Sequence, residues 1–384
     1  MTRPEDDVAL KLLHTADWHL GRKFSTFDEA DQKTLSRARL DVLDNILLSA
    51  EQNNVDAILC AGDLFDEPNP GREWWEPVAQ KLSAMRSPRP VILLPGNHDP
   101  LKPGSVYDRT HPFRSKLPKW VHIVDRDDFS FTLNEDAVLH ARPCRSQAGQ
   151  EDLALALPTR EPGDNKIRIG LVHGSTFDAV DCQTNFPIAK EAAALRGFDY
   201  LAIGDTHSFR EVPPGARPPV IYPGAPEPTS FGEPEAGNVV AVFVSRSRRV
   251  TFKAHRVATW TWEERTVRSL AEVRDLHGNS KLAGLVLRLI VDLRLTASEF
   301  EEAERLLSEL KGTNAIHGRV GILQLDRRRM VLDTRGIEAE LAALPPVLLA
   351  AVSRLKELEA GDQAEVARAA LYHLFRLARE ALAS

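Results

Sequence analysis

The chain has 384 residues, of which 43% are hydrophobic and 27% are charged, and its formal net charge is −6. This length exceeds that of a usual single core, so we expect two or three domains. The acidic balance excludes a uniformly basic nucleic-acid binder, but it leaves room for a local basic groove. The three cysteines are scattered without a CxxC pair, no secretory leader is visible, and no apolar run approaches the roughly 20 residues of a membrane span. These features predict a soluble, cytoplasmic protein without a cysteine-built zinc site.

The first half of the chain alternates strand and helix signals, from Leu10 to about Phe209. Apolar residues at helical spacing predict a crossover helix around residues 40–50 and another over about 74–85. Strands that alternate with helices indicate a mainly parallel sheet with right-handed crossovers.

A second set of strands is predicted from different signals. Short segments within 121–141, separated by charged turns, indicate antiparallel strands of a second sheet, and strands are expected over 239–244 and 250–254. The Pro- and Gly-rich stretch 215–234 predicts a surface loop. The expected class is α/β (an α+β sandwich), with two stacked sheets flanked by helices.

The composition changes near Thr259. A strand, a helix and a strand over about 285–325 predict a small α+β unit, and the pattern is helical from Ile337 onward. An apolar stripe in this last part either packs on its own domain or docks a partner, and the sequence leaves both accounts open. The expected domains are residues 1–258, 259–335 and 336–384.

Five apolar, strand-like runs are each followed by side chains that can bind a metal. The carboxyl ends of strands in an open α/β sheet gather at one edge, and an Asp-x-His pair presents both side chains on one face. One such pair is weak evidence, but five in one chain predict a centre for two metal ions bridged by Asp63. The five segments are Asp17-Trp18-His19, Gly62-Asp63, Gly96-Asn97-His98-Asp99, His173-Gly174 and Gly204-Asp205-Thr206-His207.

These segments resemble the signature of the calcineurin-like metallophosphoesterases, and among them the SbcD-type DNA repair nucleases. The resemblance covers roughly residues 10–235 and implies the metallophosphoesterase fold, followed by a capping domain and a partner-binding tail. It also implies that His98 is the catalytic histidine. One metal would be held by Asp17, His19, Asp63 and His207, and the second by Asp63, Asn97, His173 and the residue at position 205.

The chain departs from this pattern at Asp205, where the family usually has His. Three carboxylates, from Asp17, Asp63 and Asp205, leave less net positive charge at the site and favour Mn²⁺ or Mg²⁺ over zinc. Asp66 and Asp99 are expected to support the ligands or cap turns rather than bind metal.

The resemblance implies a two-metal DNA phosphodiesterase, an exonuclease with a further single-strand endonuclease activity in question. It would act in DNA repair with an SMC-like ATPase, and a homodimer is an open alternative. A phosphatase or phosphodiesterase for nucleotides or other small phosphate esters would use the same ions. A non-catalytic scaffold with a degenerate site is the third interpretation. His14 lacks a ligand pattern and is expected to be a buried structural histidine.

Overall fold

The computed structural model describes residues 7–176, 185–279, 281–311, 320–333, 345–358, 363, 366–367, 370–374 and 377. The chain divides into two compact units, Met1–Thr261 and Trp262–Ser384, each with hydrophobic clusters of its own. Among the described helices, none combines the length and apolar character that crossing a membrane requires.

Two six-stranded sheets form the first unit. The first contains, in spatial order, β14 (Val250–Arg256), β13 (Asn238–Ser245), β1 (Val8–Thr15), β2 (Ala57–Cys60), β3 (Val91–Leu93) and β4 (Val121–Ile123). The second contains β11 (Arg210–Glu211), β12 (Val220–Tyr222), β10 (Tyr200–Gly204), β7 (Ile167–His173), β6 (Ala137–Ala141) and β5 (Phe129–Asn134). A small pair, β8 (Ser175–Thr176) and β9 (Pro187–Ile188), lies apart from both.

The two sheets pack face to face around one apolar layer, with residues such as Leu12 and Leu59 from the first sheet and Leu139 and Leu171 from the second. Burying each such side chain contributes roughly 1.5–3 kcal/mol. The outer faces are covered by helices, which confirms the predicted class of two stacked sheets flanked by helices. The helices of this unit are α1 (Glu29–Gln52), α2 (Arg72–Ser83), α3 (Pro112–Lys116) and α4 (Ala192–Arg196).

The two predicted crossover helices correspond to α1 and α2. Asp28 caps α1 by accepting a hydrogen bond from the Asp31 amide, which satisfies a donor that the helix leaves unpaired. The apolar positions Leu43 and Ile46 of α1 pack on the first sheet, as the helical spacing requires. Since α1 connects β1 to β2, which are parallel neighbours, it returns the chain to the same edge of the sheet.

The prediction for residues 121–141 is right for two strands and wrong for one. β5 and β6 pair antiparallel in the second sheet, as expected. β4, however, pairs in parallel with β3 at the edge of the first sheet. Three residues are too few for a pattern that identifies a partner strand, so tertiary packing determines where β4 pairs.

The stretch 215–234 is also less exposed than predicted. It contains β12, which pairs with β10, and residues 220–229 are buried. Proline and glycine mark turns, but they do not report whether other parts of the chain cover those turns. Here the buried stretch lies beside the candidate site.

The second unit contains a three-stranded sheet in the order β15 (Thr261–Val267), β16 (Leu285–Leu295), β17 (Ile322–Leu332). Its helices are α5 (Leu270–Gly278), α6 (Ala297–Lys311) and α7 (Pro346–Leu358). β16 and β17 are parallel and α6 connects them, as predicted. The separation of a cap from a tail at residues 335 and 336 stays a prediction, because 334–344 and most positions after Leu358 lie outside the described residues.

Candidate metal centre

The carboxyl ends of five strands, three from the first sheet and two from the second, supply the side chains of the candidate site. β1, β2 and β3 are parallel neighbours, and so are β7 and β10, so these ends meet at one edge of the sandwich. The residues that follow them are Asp17 and His19 after β1, Asp63 after β2, Asn97 after β3, and Asp205 and His207 after β10, while His173 ends β7.

The backbone at this edge adopts conformations that most residues avoid. Asp17, His19, Asp63 and Asp205 all have positive φ angles, of 55°, 44°, 52° and 115°. Non-glycine residues rarely take such angles, and they concentrate at functional sites where the surrounding structure holds them. At Gly96 a Cβ atom would lie 2.2 Å from Asp63 Oδ1, so only glycine lets these two strand ends approach.

The imidazoles of His19 and His207 face each other. Their Nε2 atoms are 3.0 Å apart. A carboxylate oxygen of Asp17 belongs to the same group, in which all three ligand atoms lie within 4.8 Å of one another. His19 is fully buried, whereas the His207 side chain is 23% exposed. This group has the residue types and separations of one metal-binding position.

A second group lies beside the first and contains Asp17, Asp63 and His173. The Nε2 atom of His173 is 2.8 Å from Asn97 Oδ1 and 3.8 Å from Asp205 Oδ1. Asp63 lies between the two groups, since its Oδ2 is 3.7 Å from His19 Nε2 and 3.5 Å from His173 Nε2. The distances are compatible with the predicted bridging role of Asp63, which stays a prediction.

In each of these three imidazoles, Nδ1 lies next to an oxygen that can only accept a hydrogen bond. The Nδ1 atom must therefore donate, and in a neutral ring the Nε2 lone pair then points into the site. The partners are Asp66 Oδ1 for His19 at 3.0 Å, the Ala61 carbonyl for His173 at 2.8 Å, and Glu233 Oε1 for His207 at 2.8 Å.

This arrangement needs a positive charge between its donor atoms. Neutral His19 and His207 would oppose two lone pairs at 3.0 Å, and neutral His173 would oppose a lone pair to the amide oxygen of Asn97. Either a proton or a metal cation removes that repulsion. Imidazole nitrogens whose other nitrogen is bound to a carboxylate or carbonyl are typical metal ligands, so the residues present fit a pair of divalent cations.

The pKa values of the cluster show the same demand for positive charge. Burial disfavours a charged His173, but the carboxylates of Asp63, Asp17 and Asp205 raise its pKa well above the usual value. Burial raises the pKa of Asp17 to about 7. Protons held in this way compete with metal ions, because a bound cation requires neutral imidazoles and ionised carboxylates.

His98 differs from the other imidazoles because its side chain is 39% exposed. Its Nδ1 donates to the carbonyl of Asp66 at 3.0 Å, and its amide donates to Asp63 Oδ1 at 2.9 Å. The ring therefore keeps Nε2 for contacts outside the cluster. A third group of possible ligands, His19, Asp66 and His98, reflects the position of Asp66 between these two rings.

The model of the calcineurin-like phosphoesterase family matches residues 10–209, a segment that includes every strand end described above. The chain belongs to this family. Membership makes it a metal-dependent phosphoester hydrolase by class, and the family's two-metal site agrees with the ligand groups in the structure.

The relatives of this phosphoesterase include nucleases. It is 42% identical to the SbcD component of the nuclease SbcCD from Rhodobacter capsulatus over 202 residues, which are 49% of this chain and 45% of that protein. It is 25% identical to the metallophosphoesterase YhaO of Bacillus subtilis over 67% of this chain and 63% of that protein. The matches thus span less than two thirds of either relative. The crystal structure of TT1561 of Thermus thermophilus aligns with 65% of the chain and 99% of its own, at 13% identity and a TM-score of 0.38.

The two carboxylates that the sequence assigned to supporting roles lie in different surroundings. Asp66 contacts His19 and also Arg22, at 3.5 Å. Asp99 is buried and accepts hydrogen bonds from the Gly96 and Phe65 amides and the Tyr107 hydroxyl. Asp99 thus ties the loop after β2 to the loop after β3.

Sequence reasoning missed Glu233 and Thr229, both of which contact His207 Nδ1. They belong to the stretch that was predicted to be a surface loop. The one signal in the sequence is a carboxylate within a Ser/Thr-rich turn near the end of that stretch, which by itself does not point to a histidine 26 residues away.

Proposed function

We propose that the protein is a two-metal phosphodiesterase that cleaves DNA, similar to the SbcD-type exonucleases. The observation that carries the hydrolytic part is the set of three imidazoles with Nδ1 bound to oxygen and Nε2 turned toward the carboxylates. The DNA substrate is supported by the identity to the SbcD component of a nuclease over about half of the chain.

The proposed ligands divide into two sets that share Asp63. Asn97 suits its position because an amide oxygen binds a cation without adding negative charge. The first set is Asp17, His19, Asp63 and His207, and the second is Asp63, Asn97, His173 and Asp205.

The metal pair supplies Lewis acidity at the phosphoryl group and lowers the pKa of a water molecule. The chain's own contribution to turnover is assigned to His98. Its Nδ1 is occupied by the Asp66 carbonyl, so Nε2 is the atom that can reach a substrate. We assign this atom the donation of a proton to the leaving oxygen, or of a hydrogen bond to the phosphoryl group.

The proposed metals are Mn²⁺ or Mg²⁺ rather than zinc, because Asp205 adds a hard oxygen ligand where the family usually has an imidazole. The Asp205 amide donates to both carboxylate oxygens of Asp17, at 3.0 and 3.2 Å. Its carboxylate is therefore fixed close to that of Asp17, and two neighbouring carboxylates favour a doubly charged hard cation.

Partners are proposed on the family resemblance and the relatives' names. The relative from Rhodobacter capsulatus is named as one of the subunits of a nuclease, and we propose an SMC-like ATPase as the partner of this chain. In this proposal residues 259–335 act as a cap that orients DNA, and residues 336–384 as the segment that docks on the ATPase.

A cleavage assay tests the proposal. The full chain is incubated with Mn²⁺ and with end-labelled duplex DNA, single-stranded DNA or bis(4-nitrophenyl) phosphate. We expect Mn²⁺-dependent DNA cleavage that is lost on chelation. The His173→Asn variant, purified in parallel, controls for contaminating nucleases. Hydrolysis of the small ester with intact DNA would support the small-ester alternative instead, and two bound metals without any hydrolysis would support the scaffold.

A further inference from the structure

Arg39 is a buried arginine that the proposed chemistry does not use. It lies on α1, and its side chain is 1% exposed. Burial lowers its pKa to about 10, so the guanidinium is still charged at neutral pH. Among the described residues it forms no ion pair with a carboxylate, which is unusual because buried charges are normally paired.

The guanidinium instead binds three main-chain carbonyl oxygens. Its Nε atom donates to the His19 carbonyl at 3.3 Å, and Nη1 donates to the carbonyls of Glu227 and Pro228 at 2.9 and 3.0 Å. His19 is the residue with a φ of 44° that supplies one of the facing imidazoles. Arg39 therefore joins the loop after β1 to a segment 188 residues further along the chain.

That distant segment supplies the support for the other imidazole. Thr229, directly after Pro228, accepts or donates a hydrogen bond at His207 Nδ1, and its amide donates to Glu233. Glu233 in turn accepts from His207. One side chain thus fixes the main chain of His19 on one side and the support of His207 on the other.

The carboxylate of Glu227 holds the same segment from a different direction. It accepts hydrogen bonds from the amides of Thr259 and Trp260, at 2.8 and 2.9 Å. Because that carboxylate is occupied by amides, Arg39 contacts only the main chain of Glu227. The segment is therefore held at two points, and Arg39 is the point that leads to the metal ligands.

We propose that Arg39 is a positioning residue that sets the separation of the His19 and His207 imidazoles, and with it the affinity of the metal position they form. The proposal rests on the proposed metal-dependent function. A guanidinium suits this role because its planar fork holds several acceptors at fixed angles, whereas a lysine ammonium is a single flexible point.

Metal binding to the full chain provides the test. Co²⁺ is titrated into chelator-treated protein and followed by visible absorption, and Mn²⁺ binding is measured by calorimetry. For Arg39→Met, which keeps volume but removes the donors, we expect one of two binding events to weaken by about 10–100-fold, with an altered Co²⁺ spectrum. The other event should stay within about threefold of wild type. Arg39→Lys should lie between the two.

Arg168→Met is the matched control. Arg168 is also buried, at 2% exposed, and its guanidinium binds the Pro158 carbonyl. It lies on β7 five positions before His173, about 17 Å along a strand. Its removal should lower the unfolding temperature without changing either binding event.

Unchanged metal affinities and Co²⁺ spectrum in Arg39→Met would overturn the positioning role and leave the proposed function standing. An equal loss in Arg168→Met would also overturn it, because the effect would then be general destabilisation. If Arg39→Met does not fold, the affinity of Arg39→Lys decides in the same way. Wild-type protein that binds two metals without cleaving DNA would end the proposed function alone, and wild-type protein that binds none would end both.

Discussion

The Nδ1 atom of His207 donates a hydrogen bond to Glu233 Oε1 at 2.8 Å. Glu233 is held by the amide and hydroxyl of Thr229 and the hydroxyl of Ser230, so its orientation is fixed before any metal binds. Burial opposes its charge, but the hydrogen bond and charge of His207 lower its pKa to about 2. Glu233 is therefore ionised at neutral pH, where it orients the ring and makes Nε2 a stronger ligand.

Glu233→Gln should weaken metal binding, because an amide fixes the His207 ring without adding basicity to it. We expect a loss of about 10–100-fold in the affinity of one metal, measured by Mn²⁺ calorimetry. Glu235→Gln is the control, since this residue is exposed two positions away. Wild-type affinity in Glu233→Gln would mean that the carboxylate does not act on the metal through His207.

His98→Asn should retain both metals and lose turnover by about 10²–10⁴-fold, the range of a missing acid–base group. The reason is that its ring is turned out of the ligand cluster, with 39% of the side chain exposed. His173→Asn, which removes a predicted ligand, should lose metal as well as activity. The measurement is metal content by mass spectrometry beside the cleavage rate. Loss of metal in His98→Asn would move this residue among the ligands.

Asp205→His restores the residue that the family usually has and removes one negative charge from the site. We expect relative affinity to shift from Mn²⁺ toward Zn²⁺ by about tenfold or more, because imidazole is the softer ligand. Competition titration of the two metals measures the shift. Asp164→His, at an exposed loop away from the site, controls for an added surface histidine. Identical competition curves would show that position 205 does not select the metal.

The metal-free protein should lose stability between about pH 7 and pH 9. In the unfolded chain, His173 and Asp99 have ordinary values of 6.5 and 3.8 and carry no proton in this range. In the fold, neighbouring carboxylates raise the pKa of His173 against the effect of burial, and burial raises that of Asp99 to about 8. Folding therefore takes up protons, and stability falls as they are lost with rising pH.

The measurement is the thermal unfolding midpoint in chelator at both pH values, with a decrease of about 1 kcal/mol or more expected. Saturating Mn²⁺ should reduce or reverse the slope, because the metal binds the deprotonated ligands that high pH supplies. A midpoint in chelator that rises with pH would contradict the assignment of raised pKa values to this cluster.

His14 illustrates how far a local pattern reaches. The sequence indicated a buried structural histidine, and the ring is fully buried with Nδ1 2.9 Å from the Tyr200 hydroxyl. Burial lowers its pKa to about 3, so it is neutral at physiological pH. Its burial followed from the apolar run around it, whereas its partner on β10, 186 residues away, did not.

The sequence by itself determined the strands, the crossover helices and the polar residues at the strand ends, because each depends on a few neighbouring positions. A buried strand followed by Gly-Asp or Gly-Asn-His is complete within ten residues, and parallel strands bring their carboxyl ends together. The fold class and the family followed from that information.

Only the tertiary structure decided which loops meet. The pairing of β4 with the first sheet, the contact of Glu233 with His207, and the contact of Arg39 with Glu227 each join segments that local patterns treat as independent. Hydrogen bonds between loops depend on how two sheets and their connections pack, and many sequences with the same local periodicity would pack differently. For that reason the residues that would bind the metals were predictable, and the residues that hold them in place were not.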